Sequence, residues 1–155
     1  MHRNVEQVIR AGTAIGVEVA PKEFSESTRT AAEAAAAIGV ELGQIVKSLV
    51  FSVDGVPVMA LVRGDRQLAE AKLALAAGGL EARRPDAATV REATGFPVGG
   101  VPPFGHTMPL RLFVDQGLLD FEEVWAAAGT PHVNFPVDPK LLIAATGGVV
   151  CDLTR

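Results

Sequence analysis

Apolar side chains recur at helical spacing from Val5 to Ile15, and Gly16 follows as a stop. Thr30-Ala-Ala-Glu33 has the spacing of a capping box, which predicts an Ala-rich helix closed by Gly39. The pattern then changes period. Ser48 to Val53 and Val56 to Val62 are β-rich runs on either side of Asp54-Gly55, a dipeptide suited to a tight hairpin. Gln67 to Ala77 predicts a helix ended by Gly78-Gly79, and Leu80 to Arg84 a short strand. Pro85-Asp86 opens a helix that stops at Gly95. Further on, Leu110 to Val114 predicts a strand, Leu118 to Ala128 a helix, and Val133 to Phe135 a strand. Pro139 to Ala144 predicts a helix and Val149 to Leu153 a last strand. One clear hairpin without a steady βαβ rhythm indicates an α+β domain with a mixed sheet.

Composition sharpens this picture. The 155 residues favour one domain spanning 1–155, with no linker, repeat or charge block. Hydrophobic residues make up 48% and tyrosine is absent, so the core must be aliphatic. The single cysteine, Cys151, excludes an internal disulfide and is expected to sit buried in the last strand. The first ten residues are polar and helix-like, unlike a secretory signal. No apolar run approaches the roughly 20 residues of a membrane span, so a cytoplasmic location is expected. A net charge of −4 argues against a broad basic face for duplex nucleic acid, but leaves room for a local grip on one end of an RNA.

Two stretches stand out as candidate chemistry. Gly95 to His106 holds four glycines and three prolines in twelve residues. Such a loop either makes a wide structural turn or aims backbone amides at a carbonyl or phosphate. Lys47 lies between the apolar runs of QIVKSLVF, at the apparent junction of a short helix and a strand. It is either a snorkelling side chain or a cation at a strand mouth. His2, His106 and His132 lie far apart with no metal-ligand spacing, and no serine nucleophile elbow is present. Asp115, Asp120, Glu122 and Glu123 read as a cap and a solvated helix face. Arg63, Arg66, Lys72, Arg83 and Arg84 read as solvated surface or as part of an RNA-facing patch.

The order of these stretches resembles one family. The segments AAAAIGVELGQIVKSLVF, REATGFPVGGVPPFGH and FVDQGLLDFEEVWAAAGTPHVNFPVDPKLLIAATGGVVCDLT are similar to the YbaK/EbsC/PrdX family, related to the editing insertion of bacterial prolyl-tRNA synthetase. The resemblance runs from about Glu23 to the C-terminus. It implies a compact α+β domain with a mixed, partly closed sheet surrounded by helices. It also implies an aminoacyl-tRNA deacylase acting in trans on the acceptor end of mischarged tRNA, with prolyl-tRNA synthetase as a possible partner. No metal and no organic cofactor are implied.

The family lysine maps to Lys47, and its GxxxP loop to Gly99, Gly100, Val101, Pro102 and Pro103. A pocket histidine maps to His132, and His106 closes the loop. The resemblance thus gives Lys47 and Gly100 as catalytic, with the other loop residues and both histidines binding substrate. Amides of Gly100 and Val101 would face the ester oxyanion, Lys47 the terminal phosphate or the carbonyl, and a ribose hydroxyl would orient water. Proline tRNA is the expected carrier. Alanine, 2-aminobutyrate, serine, threonine and cysteine all remain open as the amino acid removed, and the oligomeric state is unspecified. A non-catalytic module that binds aminoacyl-tRNA or a synthetase is the alternative, and a small-molecule esterase a third class.

Overall fold

The computed structural model describes residues 1–155. Helix α1 (Arg3–Ile15) starts at His2, whose Nδ1 accepts the Asn4 amide at 3.0 Å, and it buries Val5 and Val8. A two-residue strand, β1 (Lys22–Glu23), follows. Helix α2 (Ala31–Ile38) begins as its capping spacing requires: Thr30 Oγ1 accepts the Glu33 amide at 3.1 Å. The Thr30 hydroxyl in turn donates to the Glu33 carboxylate at 2.9 Å.

Strands β2 (Val46–Val53) and β3 (Val56–Arg63) pair antiparallel along their whole length. Asp54 at φ 50° and Gly55 at φ 84° are both left-handed, as a two-residue hairpin turn demands. Helix α3 (Glu70–Ala76), strand β4 (Ala82–Arg83) and helix α4 (Ala87–Thr94) come next, followed by β5 (Leu112–Asp115). Strands β6 (Val124–Ala127) and β7 (Val133–Val137), helix α5 (Pro139–Thr146) and strand β8 (Val149–Cys151) complete the chain.

The strands form two sheets. One has the order β4-β2-β3-β5-β8, with parallel pairs at β3–β5 and β5–β8. The other is β1-β7-β6, antiparallel throughout. A single bridge between Ile45 and Trp125 joins them. The expected mixed α+β domain is therefore present, but its sheet is not closed. Closure fails beside β2, because β4 pairs only with Ser52 and Val53. From Lys47 to Phe51 the strand has β3 on one side and no paired strand on the other.

Alternation along β2 sorts the core. Val46 and Val50 face a large cluster with Met59, Val124, Ala126 and Phe135, while Phe51 and Val53 face a second one with Leu73 and Phe113. Phe135 is fully buried, edge-on to Phe104 with centroids 5.8 Å apart, so truncating it to Ala would cost about 3–5 kcal/mol.

One predicted element is corrected. The segment Leu118 to Ala128 is a 3₁₀ turn, Gln116–Asp120, followed by β6. Its alanines favour a helix locally, but β6 is buried on both faces. Val124 and Ala126 enter the large core while Trp125 packs on Ala34 and Ala35 of α2. Tertiary burial overrides propensity there.

Candidate active site

A cleft of about 530 Å³ opens beside the unpaired edge of β2. Its walls come from residues 28–34 at the start of α2, β2 itself, the start of α4, the loop after α4, and Ala127 of β6 with Asn134 of β7. The alternation of an antiparallel strand turns the N–H and C=O groups of Ser48 and Val50, and the carbonyl of Val46, to the open side. The neighbouring residues keep the same parity. Met59 N–H bonds outward to the Arg111 carbonyl and Asp54 N–H to the Glu81 carbonyl, each at 2.9 Å.

Lys47 lines this cleft, half-buried, with its ammonium donating to the Arg66 carbonyl. Burial pushes its pKa below the usual lysine range. Asp65 opposes that shift, and the positive charge of Arg84 adds to it. Two further arginines line the cleft. The Arg84 guanidinium lies 5.5 Å from the centroid of the Phe51 ring. The Arg29 stem lies across Gly99, where an added Cβ would come within 2.5 Å of its Cγ. The lining thus carries three cations and no Asp, Glu or His.

The glycine-proline loop does two jobs at once. Phe96, Val101 and Phe104 anchor it in the large core. On its other side Val98, Gly99 and Val101 line the cleft. Gly99 sits at φ 90° and Gly100 N–H donates to the Pro97 carbonyl at 3.0 Å, which makes Pro97 to Gly100 a turn that needs glycine third. The Gly100 amide is therefore occupied, while the N–H groups of Gly99 and Val101 have no acceptor within the protein. Gly100 faces away from the cleft: a Cβ there would meet the Thr130 backbone at 2.9 Å.

Of the residues expected from sequence, Lys47, Gly99 and Val101 come together. Gly100, Pro102, Pro103, His106 and His132 stand outside the lining. His106 is largely buried, its Nε2–H donating to the Pro102 carbonyl at 2.7 Å, and burial holds its pKa below the ordinary histidine value. His132 is exposed, with Nδ1 3.1 Å from the Glu26 carbonyl. Most of the suggested RNA patch is paired with carboxylates: Arg63 with Asp65 at 2.6 Å and Asp120 at 2.8 Å, Lys72 with Asp152 at 2.7 Å, and Arg83 with Glu81 at 2.6 Å. Arg66 stands 3.9 Å from Asp120. Only Arg84 of that group reaches the cleft. Asp115 is a buried cap, accepting the Gly117 amide at 2.9 Å and the Leu153 amide at 2.8 Å. Cys151 is partly buried in β8, and desolvation raises its thiol pKa. Arg29, Thr28 and Asn134, which also line the cleft, carried no motif in the sequence.

The family model for the aminoacyl-tRNA editing domain matches residues 25–145. The chain belongs to that family. A solved structure described as a candidate trans-editing enzyme for prolyl tRNA synthetase is 44% identical to this editing domain. The two superpose with a TM-score of 0.93 over 100% of this chain and 99% of that one. The proline–tRNA ligase of Maridesulfovibrio salexigens is 44% identical over 100 residues, 63% of this chain and 17% of the ligase. The editing domain thus spans about a sixth of that ligase's length. The uncharacterized protein YwhH of Bacillus subtilis is 34% identical over 120 residues, 77% of this chain and 76% of YwhH. No helix of the editing domain is long and apolar enough to cross a membrane.

Proposed function

We propose that this chain is a trans-acting aminoacyl-tRNA deacylase of the cytoplasm. It hydrolyses the ester that joins a small wrong amino acid to the terminal ribose, with proline tRNA as the foremost carrier. The observation that carries this reading is the cleft itself. It gathers three cations and two acceptor-free amides in one cleft beside an unpaired strand edge, without a carboxylate. That arrangement suits a polyanion with an ester at its end.

In this reading Arg29, Lys47 and Arg84 hold the terminal phosphates, and the amides of Gly99 and Val101 face the ester oxygen where negative charge develops. Gly100 acts by placement, since its close seat on Thr130 fixes where its neighbours' amides point. The lining offers no side chain to serve as a strong base, so orientation of water by the vicinal ribose hydroxyl completes the reaction. Ala31, Ala34 and Ala127 beside Ile45 leave room for a small acyl side chain. Pro102, Pro103, His106 and His132 support the loop and the cleft rim from outside.

Deacylation of a panel of mischarged tRNAs by the purified chain tests this directly. Release of small amino acids from proline tRNA, at rates well above spontaneous hydrolysis, is the expected result. Tight binding of the same tRNAs with no release would instead mean a non-catalytic module. Turnover of free amino-acid esters at equal rates would mean a small-molecule esterase.

A further inference from the structure

Resting on the deacylase reading, we propose that Asn134, oriented by Thr28, is the acceptor that receives the substrate's α-ammonium. Asn134 lies on β7, is 3% exposed and lines the cleft with Lys47 and Gly99. Its side chain meets the Thr28 hydroxyl at 2.6 Å. That hydroxyl has one proton, and it donates it to the Pro131 carbonyl at 2.9 Å. Thr28 must therefore accept from Asn134, so the NH₂ end of the amide faces Thr28. The other end, Oδ1, has no donor in the protein. It is not sealed from the cleft either. The only enclosed side-chain polar atoms without partners are Ser48 Oγ and Trp125 Nε1.

The charge pattern says which donor Oδ1 is for. The α-ammonium is the one cationic part of an aminoacyl ester, and it must settle among three protein cations. A carboxylate there would pair with Lys47, Arg29 or Arg84 and weaken their hold on phosphate. A neutral amide oxygen binds the ammonium without disarming the cations. The edge carbonyls of β2 at Val46 and Ser48 lie along the same cleft and complete a set of neutral acceptors.

The test compares alanyl-tRNA with propionyl-tRNA, which keeps the methyl group and lacks the amine. Single-turnover rates are measured for the wild-type chain, Asn134→Leu and Thr28→Val, with folding checked by thermal melting. Comparing each variant with wild type on the same ester cancels the different intrinsic reactivities. Asn134→Leu should lower alanyl release about tenfold to a hundredfold, the usual worth of a hydrogen bond to a charged group. It should leave propionyl release within about twofold. Thr28→Val frees the amide to turn and should show the Asn134→Leu pattern in milder form; it carries the test if Asn134→Leu does not fold. Equal losses on both esters would make Asn134 merely structural and overturn the proposal. A loss confined to seryl-tRNA relative to alanyl-tRNA would overturn it too, assigning Oδ1 to the side-chain hydroxyl. A wild-type chain that deacylates no tRNA would instead sink the deacylase reading on which the proposal rests.

Discussion

Lys47 and Gly100 test the site from opposite sides. Lys47 gives up one hydrogen bond to the Arg66 carbonyl when truncated and is only partly buried, so Lys47→Ala should fold normally. Its deacylation rate should nevertheless fall on the order of a hundredfold, as when a preorganised donor is removed. The pH profile carries a further mark. Lys47 must be charged to hold an anion, and its pKa lies below that of an ordinary lysine, chiefly through burial. Activity above the spontaneous rate should therefore decline with rising pH earlier than for a free lysine. Arg84→Gln removes a like charge and should move that decline to higher pH; an unmoved limb would separate Arg84 from Lys47. Gly100→Ala places a methyl against the Thr130 backbone, an overpacking that costs about 1–3 kcal/mol. It should lower both melting temperature and turnover, whereas exposed Arg91→Ala should change neither. Lys47 and the loop were legible in the sequence because a lone cation between apolar runs and a dense glycine-proline stretch are unusual. Thr28, Arg29 and Asn134 were not, because they are common polar residues that only folding gathers. The one available signal was Asn134 itself, a polar residue between Val133 and Phe135 in a predicted strand.

The hairpin, the capped α2 and the helices after Asp86 and Asp138 followed from local rules, since turn and cap residues act within a few positions. β6 did not, because what decides it lies in α2 and β7, far along the chain. The loop from Gly95 to His106 is intermediate: its composition marked it, but its anchoring in the core is a tertiary fact. That anchoring predicts a pH effect on stability. His106 is partly buried, and burial sets its folded pKa below its unfolded value near 6.5. The unfolded chain therefore binds more protons as pH drops past that value, and folding weakens until the folded pKa is reached. Melting temperature should fall between about pH 7 and pH 5, within the window set by the reference histidine value. His106→Gln should flatten the part of that fall due to His106. An identical slope in wild type and variant would assign the effect to other groups.

The whole molecule carries a net charge of −4, yet the charged side chains that line its cleft are all cations. Binding to an RNA end should then depend on salt through only a few phosphates, giving a shallow slope of log affinity against log salt. No step in the proposed reaction passes through a metal ion, so dialysis against EDTA should leave turnover unchanged; loss restored by added zinc would overturn that mechanism.

The half-paired β2 has a consequence of another kind. A strand with one bare edge is a template on which a second chain can add, and proteins guard such edges with charge. Here the guards are Arg29, Lys47 and Arg84, the same side chains assigned to RNA. Ligand grip and solubility thus rest on shared residues. Replacing all three by alanine should promote self-association through β2, seen as light scattering that grows with protein concentration. Surface cations of equal number elsewhere, such as Arg3, Arg91 and Lys140, should be dispensable in the same assay.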